Sequence, residues 1–169
     1  MFEMDYDKAA AHWTSKDKVA KKLDDKTLLE RIEGFIKEGN TCALATASEG
    51  SVRCTPIEYM YSDGAFYMFS EGGLKFKNLK ENKHVGLAMF ETYSGFGSLK
   101  GLQAEGIAEI VEPFSEEYLK AMELRHIPEA TMRKLPEPMN LIKIKPSSYD
   151  YLDSDLKKEN ISIRQHLDC

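Results

Sequence analysis

Residues 41–70 read TCALATASEGSVRCTPIEYMYSDGAFYMFS, and the punctuation of this stretch decides the fold. Thr41–Ala47 is a short run of small and apolar residues, closed by the turn Ser48-Glu49-Gly50. Ser51–Tyr61 reads as a second strand, in which alternate side chains share a face. Ser62-Asp63-Gly64 follows, and Asp-Gly supplies the positive φ angles of a tight hairpin. Ala65–Ser70 is a third strand, so the region is expected to form an antiparallel meander.

Working outward, Thr27 and Glu30 have the spacing of a helix capping box, and Leu28, Ile32, Phe35 and Ile36 recur on one helical face. Gly39-Asn40 stops that helix. Downstream, Leu74–Glu81 reads as one or two helical turns, Val85–Phe90 as a fourth strand and Ser94-Gly95-Phe96-Gly97-Ser98 as a loop. Gly101–Glu112 is a fifth strand, with Gly106 placed for a bulge or a close backbone approach. Ser115 caps a helix to Leu124, and Pro128 suits the first turn of a short helix. Met139–Lys145 alternates again, with Ile142 and Ile144 opposite Lys143 and Lys145. The expected organisation is an arm or short helix over 1–26, one domain over 27–152 and a polar C-terminal tail over 153–169, mobile from about Asp150. The fold class is mainly β with α+β character: a barrel of antiparallel strands with short helices inserted between them.

The chain has 169 residues, 42% hydrophobic and 30% charged, which suits a single packed domain. A net charge of -5 argues against a broad nucleic-acid face but leaves room for a local phosphate pocket. No apolar run approaches the roughly 18 residues of a membrane span. The acidic start MFEMD shows no secretory signal. Cys42, Cys54 and Cys169 match no zinc spacing, and His12, His84, His126 and His166 form no close pair, so no metal is expected. A reducing cytoplasmic compartment is the simplest reading.

Two places could carry chemistry. Arg53 shares a strand face with Thr55, Ile57 and Tyr59, and its planar fork suits a phosphate. On this strand alone, a solvated edge arginine is the simpler reading. In Ser70-Glu71-Gly72-Gly73-Leu74-Lys75 the chain leaves a strand, crosses two glycines and enters a helix. Such a turn lets backbone N–H groups approach an anion. Lys75 sits in the first helical turn, where the helix dipole disfavours a cation, and a bound phosphate would offset that cost. Arg53 and Lys75 flank a short hairpin, and their convergence brings the phosphate reading level with the plain one.

Arg53-Cys54-Thr55-Pro56, Phe66-Tyr67-Met68-Phe69-Ser70, Gly73-Leu74-Lys75, Asn82 and Gly106-Ile107-Ala108-Glu109, in this order and spacing, resemble the pyridoxamine 5'-phosphate oxidase-like flavin proteins, the FMN-binding split-barrel group. The resemblance spans residues 27–152 and lies nearer the short, nitroimidazole-reductase-like members than the true oxidase. It implies a homodimer with FMN at the subunit interface, and Arg53 and Lys75 on the FMN phosphate. Cys54, Thr55, Pro56 and Ile57 would run along the isoalloxazine ring, largely through backbone groups. Met68, Phe69 and Ser70 would touch the flavin from the next strand. Leu74 stands where the family often has a polar or basic residue, and Gln103 is the candidate for a flavin-contacting glutamine or else faces solvent. Glu58 replaces a lysine that binds substrate phosphate in the true oxidase, which argues against that activity. Arg164-Gln165-His166 has the spacing of the oxidase's Arg-x-His pair without its context. The implied function is an oxidoreductase that uses FMN on a small organic molecule; the alternative is a flavin or haem carrier or sensor. No catalytic acid is assigned.

Overall fold

The computed structural model describes residues 3–17, 19–95 and 97–169; Phe96 of the expected loop lies outside the described residues. Helix α1, Tyr6–Asp17, precedes α2, Asp25–Glu38. Strands β1, Thr41–Ser48, and β2, Ser51–Glu58, form a hairpin in which Arg53 lies opposite Thr46. Then come β3, Met60–Ser62; β4, Ala65–Ser70; α3, Lys75–Glu81; β5, His84–Phe90; and β6, Lys100–Val111. Two short helices follow, α4, Glu116–Leu124, and α5, Glu129–Met132, then β7, Asn140–Asp153, and β8, Arg164–Asp168. The strands form one curled antiparallel sheet, a half-barrel in the order β2-β1-β5-β6-β7-β4-β3, with β8 added to β7. Among the described residues, no helix is long and apolar enough to cross a membrane.

The expected meander over 41–70 is broken at Tyr59. Its N–H donates to the Asn40 carbonyl at 2.8 Å and its hydroxyl to the Ile36 carbonyl at 2.7 Å. These bonds pin the strand to the end of α2 and divide Ser51–Tyr61 into β2 and β3. β4 then pairs with β7 instead of β2, with Met68 opposite Ile142. The two hairpins therefore lie at opposite ends of the sheet order.

The stretch from Asp150 is ordered strand. β7 runs to Asp153, a 3-10 helix spans Ser154–Glu159, and β8 pairs Tyr149 with Leu167 and Asp150 with His166. Its far side is strapped by the chain before α2: the Ser162 N–H donates to the Lys21 carbonyl, and Gln165 accepts from the Leu23 N–H at 3.0 Å.

The inner face of the sheet carries Leu44, Phe66, Met68, Leu87, Leu102, Ile142 and Ile144, sealed by Leu28, Ile32, Phe35 and Ile36 of α2. The helix begins one turn earlier than the capping-box reading places it. Asp24 is the cap, accepting from the Thr27 N–H, and Thr27 Oγ1 donates to the other Asp24 oxygen. A second core forms on the far side of β4, where Tyr67 and Leu141 meet Tyr118, Met122 and Met132. β4 is thereby covered on both faces.

Gly106 marks a register shift in the β6–β7 ladder. A Cβ there would lie 2.5 Å from the Lys145 carbonyl oxygen, and backbone on the partner strand cannot yield as a side chain would. Gly106→Ala is expected to cost about 1–3 kcal/mol, read as a lower urea midpoint. Asp24→Ala is expected to cost about 1 kcal/mol through the lost cap.

Candidate functional site

Arg53, Thr55 and Ile57 lie opposite Thr46, Leu44 and Cys42, all buried, so the face read from parity is the inner one. At the Arg53 end that face is covered by α3. The helix is clipped to β1 by two asparagines. Asn78, 1% exposed, donates to the Thr46 carbonyl at 3.1 Å and accepts from Ser48 Oγ at 2.9 Å. Asn82 donates to the Ala47 carbonyl at 3.0 Å. These amides fix where α3 begins and hence where Lys75 sits.

The approach to α3 needs its glycines. Gly72 and Gly73 have φ of 155° and 111°, which L side chains rarely adopt. Lys75 then folds back over this turn. Its ammonium donates to the Gly72 carbonyl at 2.6 Å, and the residue is only 7% exposed. Burial and the neighbouring Arg53 guanidinium both hold its pKa below the usual lysine value. Among the described residues neither Lys75 nor Arg53 forms an ion pair. Two cations converge here, one buried, with no carboxylate between them. An anion with several acceptor oxygens is the species that satisfies such a pair.

Next to this cradle the barrel is split. β2 is an edge strand, which tolerates Pro56 and its missing N–H. β3 covers β4 only as far as Tyr67, so Met68–Ser70 has β7 on one side and no strand on the other. The two free edges offer backbone groups to a flat ligand. Side chains contribute less. Met68 is wholly buried in the core, and Phe69 packs edge-on against Tyr118 at 5.4 Å between ring centres. Ser70 bonds within the glycine turn. Cys54 and Pro56 point to the outer face, and Leu74 is 59% exposed and adds no polar contact.

Gln103 is not brought to the cradle within one chain. It lies on the outer face, opposite Ala88 on β5 and Asp150 on β7. Asp150 in turn accepts from His166 Nδ1 at 2.9 Å, while His166 Nε2 lies 3.2 Å from Asp168, and these hydrogen bonds raise the imidazole pKa. The Arg164-x-His166 spacing therefore belongs to β8 and not to the cradle. Sequence reasoning missed Arg125. Its guanidinium lies 2.5 Å from a Glu58 oxygen across 67 residues, and no local pattern announces that pair. The two residues line a cavity of about 370 Å³ whose apolar part includes Met60, Phe69, Ile127 and Met139. Among the described residues, no three His, Cys, Asp or Glu side chains are grouped to hold a metal.

The family described as "Pyridoxamine 5'-phosphate oxidase" matches over residues 28–153. A FAD-binding protein from Mesorhizobium loti superposes with a TM-score of 0.59 at 20% identity, covering 72% of this chain and 89% of that one. A heme storage protein from Vibrio cholerae gives 0.55 at 19% identity, covering 69% and 88%. A proposed 5-nitroimidazole antibiotic resistance protein from Bacteroides thetaiotaomicron gives 0.59 at 20% identity, covering 75% and 82%. At these identities the likeness is one of fold. No curated protein matches the sequence.

Because burial lowers the Lys75 pKa, the charged form works against folding below that lowered value, and the penalty fades as the pH rises toward lysine's ordinary 10.5. Lys75→Met is expected to raise the urea midpoint of the ligand-free protein at neutral pH. The gain should shrink between the lowered pKa and 10.5, measured by denaturation at a series of pH values.

Proposed function

The chain belongs to the pyridoxamine 5'-phosphate oxidase family, and we propose that it is a cytoplasmic, homodimeric flavoprotein that binds FMN and acts as an oxidoreductase on a small organic molecule. The observation that carries this reading is the carboxylate-free cation pair of buried Lys75 and exposed Arg53 beside a glycine turn. Arg53 and Lys75 would hold the phosphate. The backbone edges of Thr55–Ile57 and Met68–Ser70 would flank the ring. The bound flavin supplies the redox chemistry; the chain binds it, orients it and keeps water from one side of it. No side chain need supply a proton.

Two features support a dimer. The outer face of β2, β1 and β5 is built of small or apolar residues, including Ala43, Ala45, Gly86 and Ala88, and exposes Val52 at 80% and Phe90 at 74%. Gln103 lies on this side, away from Arg53 of its own chain, so a contact between Gln103 and a flavin requires the second copy. The unpaired thiols of Cys42, Cys54 and Cys169 suit a reducing compartment. Glu58 disfavours a phosphorylated substrate, and its pairing with Arg125 leaves the adjacent cavity near neutral. The Vibrio heme storage protein supports a second reading, a haem carrier or sensor on the same fold. His84 and His126, the ligand candidates inside the domain, are both exposed.

The purified, reconstituted protein is expected to show flavin absorption bands, and heat should release FMN identifiable by mass. A Soret band without flavin would favour the haem reading. FMN is expected to bind more tightly than riboflavin. Arg53→Ala and Lys75→Ala should each weaken FMN by about 10–100-fold while leaving riboflavin unchanged, as loss of a charge-assisted phosphate contact requires. Equal FMN affinity in both variants would overturn the phosphate assignment.

A further inference from the structure

β7 gives one edge to two strands in turn: β4 pairs with residues 140–144 and β8 with residues 148–152. At the changeover stands Pro146, which has no N–H to offer, opposite Gly106, and the next residue, Ser147, is the extra one in the ladder. The sheet opens there into a cavity of about 490 Å³, within the size range of small-molecule sites. Its apolar surface comes from Leu29, Tyr61, Tyr149 and Leu167 on four different elements. It shares no lining residue with the Arg53 and Lys75 cradle. β4, which starts beside this cavity and ends at the cradle, separates the two by about 20 Å.

The polar groups at the cavity are few and of one dominant sign. Asp25, Glu33 and Asp168 face a single cation, Lys26. Asp168 is engaged by His166. Glu33 is arranged differently. One of its oxygens takes Lys37 at 3.0 Å on the solvent side, and the other accepts the Tyr61 hydroxyl at 3.3 Å. The buried Tyr149 lines the same cavity beside it. The Tyr61 phenol thus holds one carboxylate oxygen at an apolar, partly aromatic space. An anion would be repelled at three points. A wholly apolar guest would gain nothing from the acidic groups of the lining. An ammonium would meet Glu33 and the faces of two tyrosines.

We propose that this cavity is a second ligand site that takes a small primary amine, with its apolar body on Tyr149, Leu29 and Leu167 and its ammonium on Glu33. Flavin binding plays no part in it. The test is calorimetric titration of the full chain with 2-phenylethylamine and, at the same pH, with 3-phenylpropionate. The amine is expected to bind and the carboxylate not to. Glu33→Gln should weaken the amine about tenfold. Lys37→Gln, which removes a competing cation from an exposed position, should tighten it several-fold. Leu29→Trp fills the cavity from its exposed wall and should abolish binding, with FMN affinity unchanged. Equal binding of the two probes, no response to Glu33→Gln, or binding that survives Leu29→Trp would each overturn the proposal.

Discussion

A strand has two edges, and the way β7 spends them organises this molecule. One edge goes to β6 from Leu141 to Asp153; the other is divided between β4 and β8. The other edge of β4 is taken by β3 only as far as Tyr67, and β2 does not pair with the remainder, so the ends of the sheet approach without pairing. That failure to close creates the split. The point of division on β7 creates the second opening at Pro146. The bend this requires is permitted by Gly106, where the partner carbonyl occupies the space of a Cβ. Both candidate ligand sites are therefore consequences of one pairing choice, and they are displaced from each other along β4.

The cradle shows how local stability is set against binding. A buried lysine beside an arginine is unfavourable in the ligand-free chain, and one backbone carbonyl compensates only in part. The surroundings make up the difference. Asn78 and Asn82 dock α3 on the Thr46 and Ala47 carbonyls of β1, and Leu79 of the same helix is fully buried in the core. The helix is held by contacts that do not involve Lys75. Its first residue can then carry a strained charge without the helix shifting, and an anion bound there as proposed would relieve that strain.

Much of this was legible in the sequence. Apolar runs and turn punctuation located β1, β4, β5 and β6, Asp63-Gly64 marked a hairpin with φ of 52° and 73°, and Gly106, read as a bulge or a close backbone approach, is the close approach at a register shift. Parity put Arg53 on one face with Thr55 and Ile57, and the glycine pair pointed to Lys75. The rest depends on contacts distant in sequence. Nothing in the alternation of Ser51–Tyr61 shows that Tyr59 will be captured by α2. The run Ser147-Ser148-Tyr149-Asp150-Tyr151 looks polar, yet its tyrosines are 2% and 3% exposed because β8 and α2 cover them. Which face Gln103 takes follows from the β6 register, and that register is fixed only once β5 and β7 flank it.

The Glu58–Arg125 pair sharpens what the proposed flavin site would accept. Read alone, Glu58 is a negative charge that repels phosphate. In the structure each partner is about half exposed, at 45%, so the pair adds little stability, on the order of 1 kcal/mol or less. Its effect is on the local field. A phosphate dianion entering the cavity could gain Arg125 only by displacing Glu58, and would leave that carboxylate close by and unpaired. A neutral molecule disturbs neither partner and gains the apolar surface of Met60, Phe69, Ile127 and Met139. Selection against phosphorylated substrates at the proposed site would then arise from a guanidinium already claimed, a stronger discrimination than a missing lysine would provide.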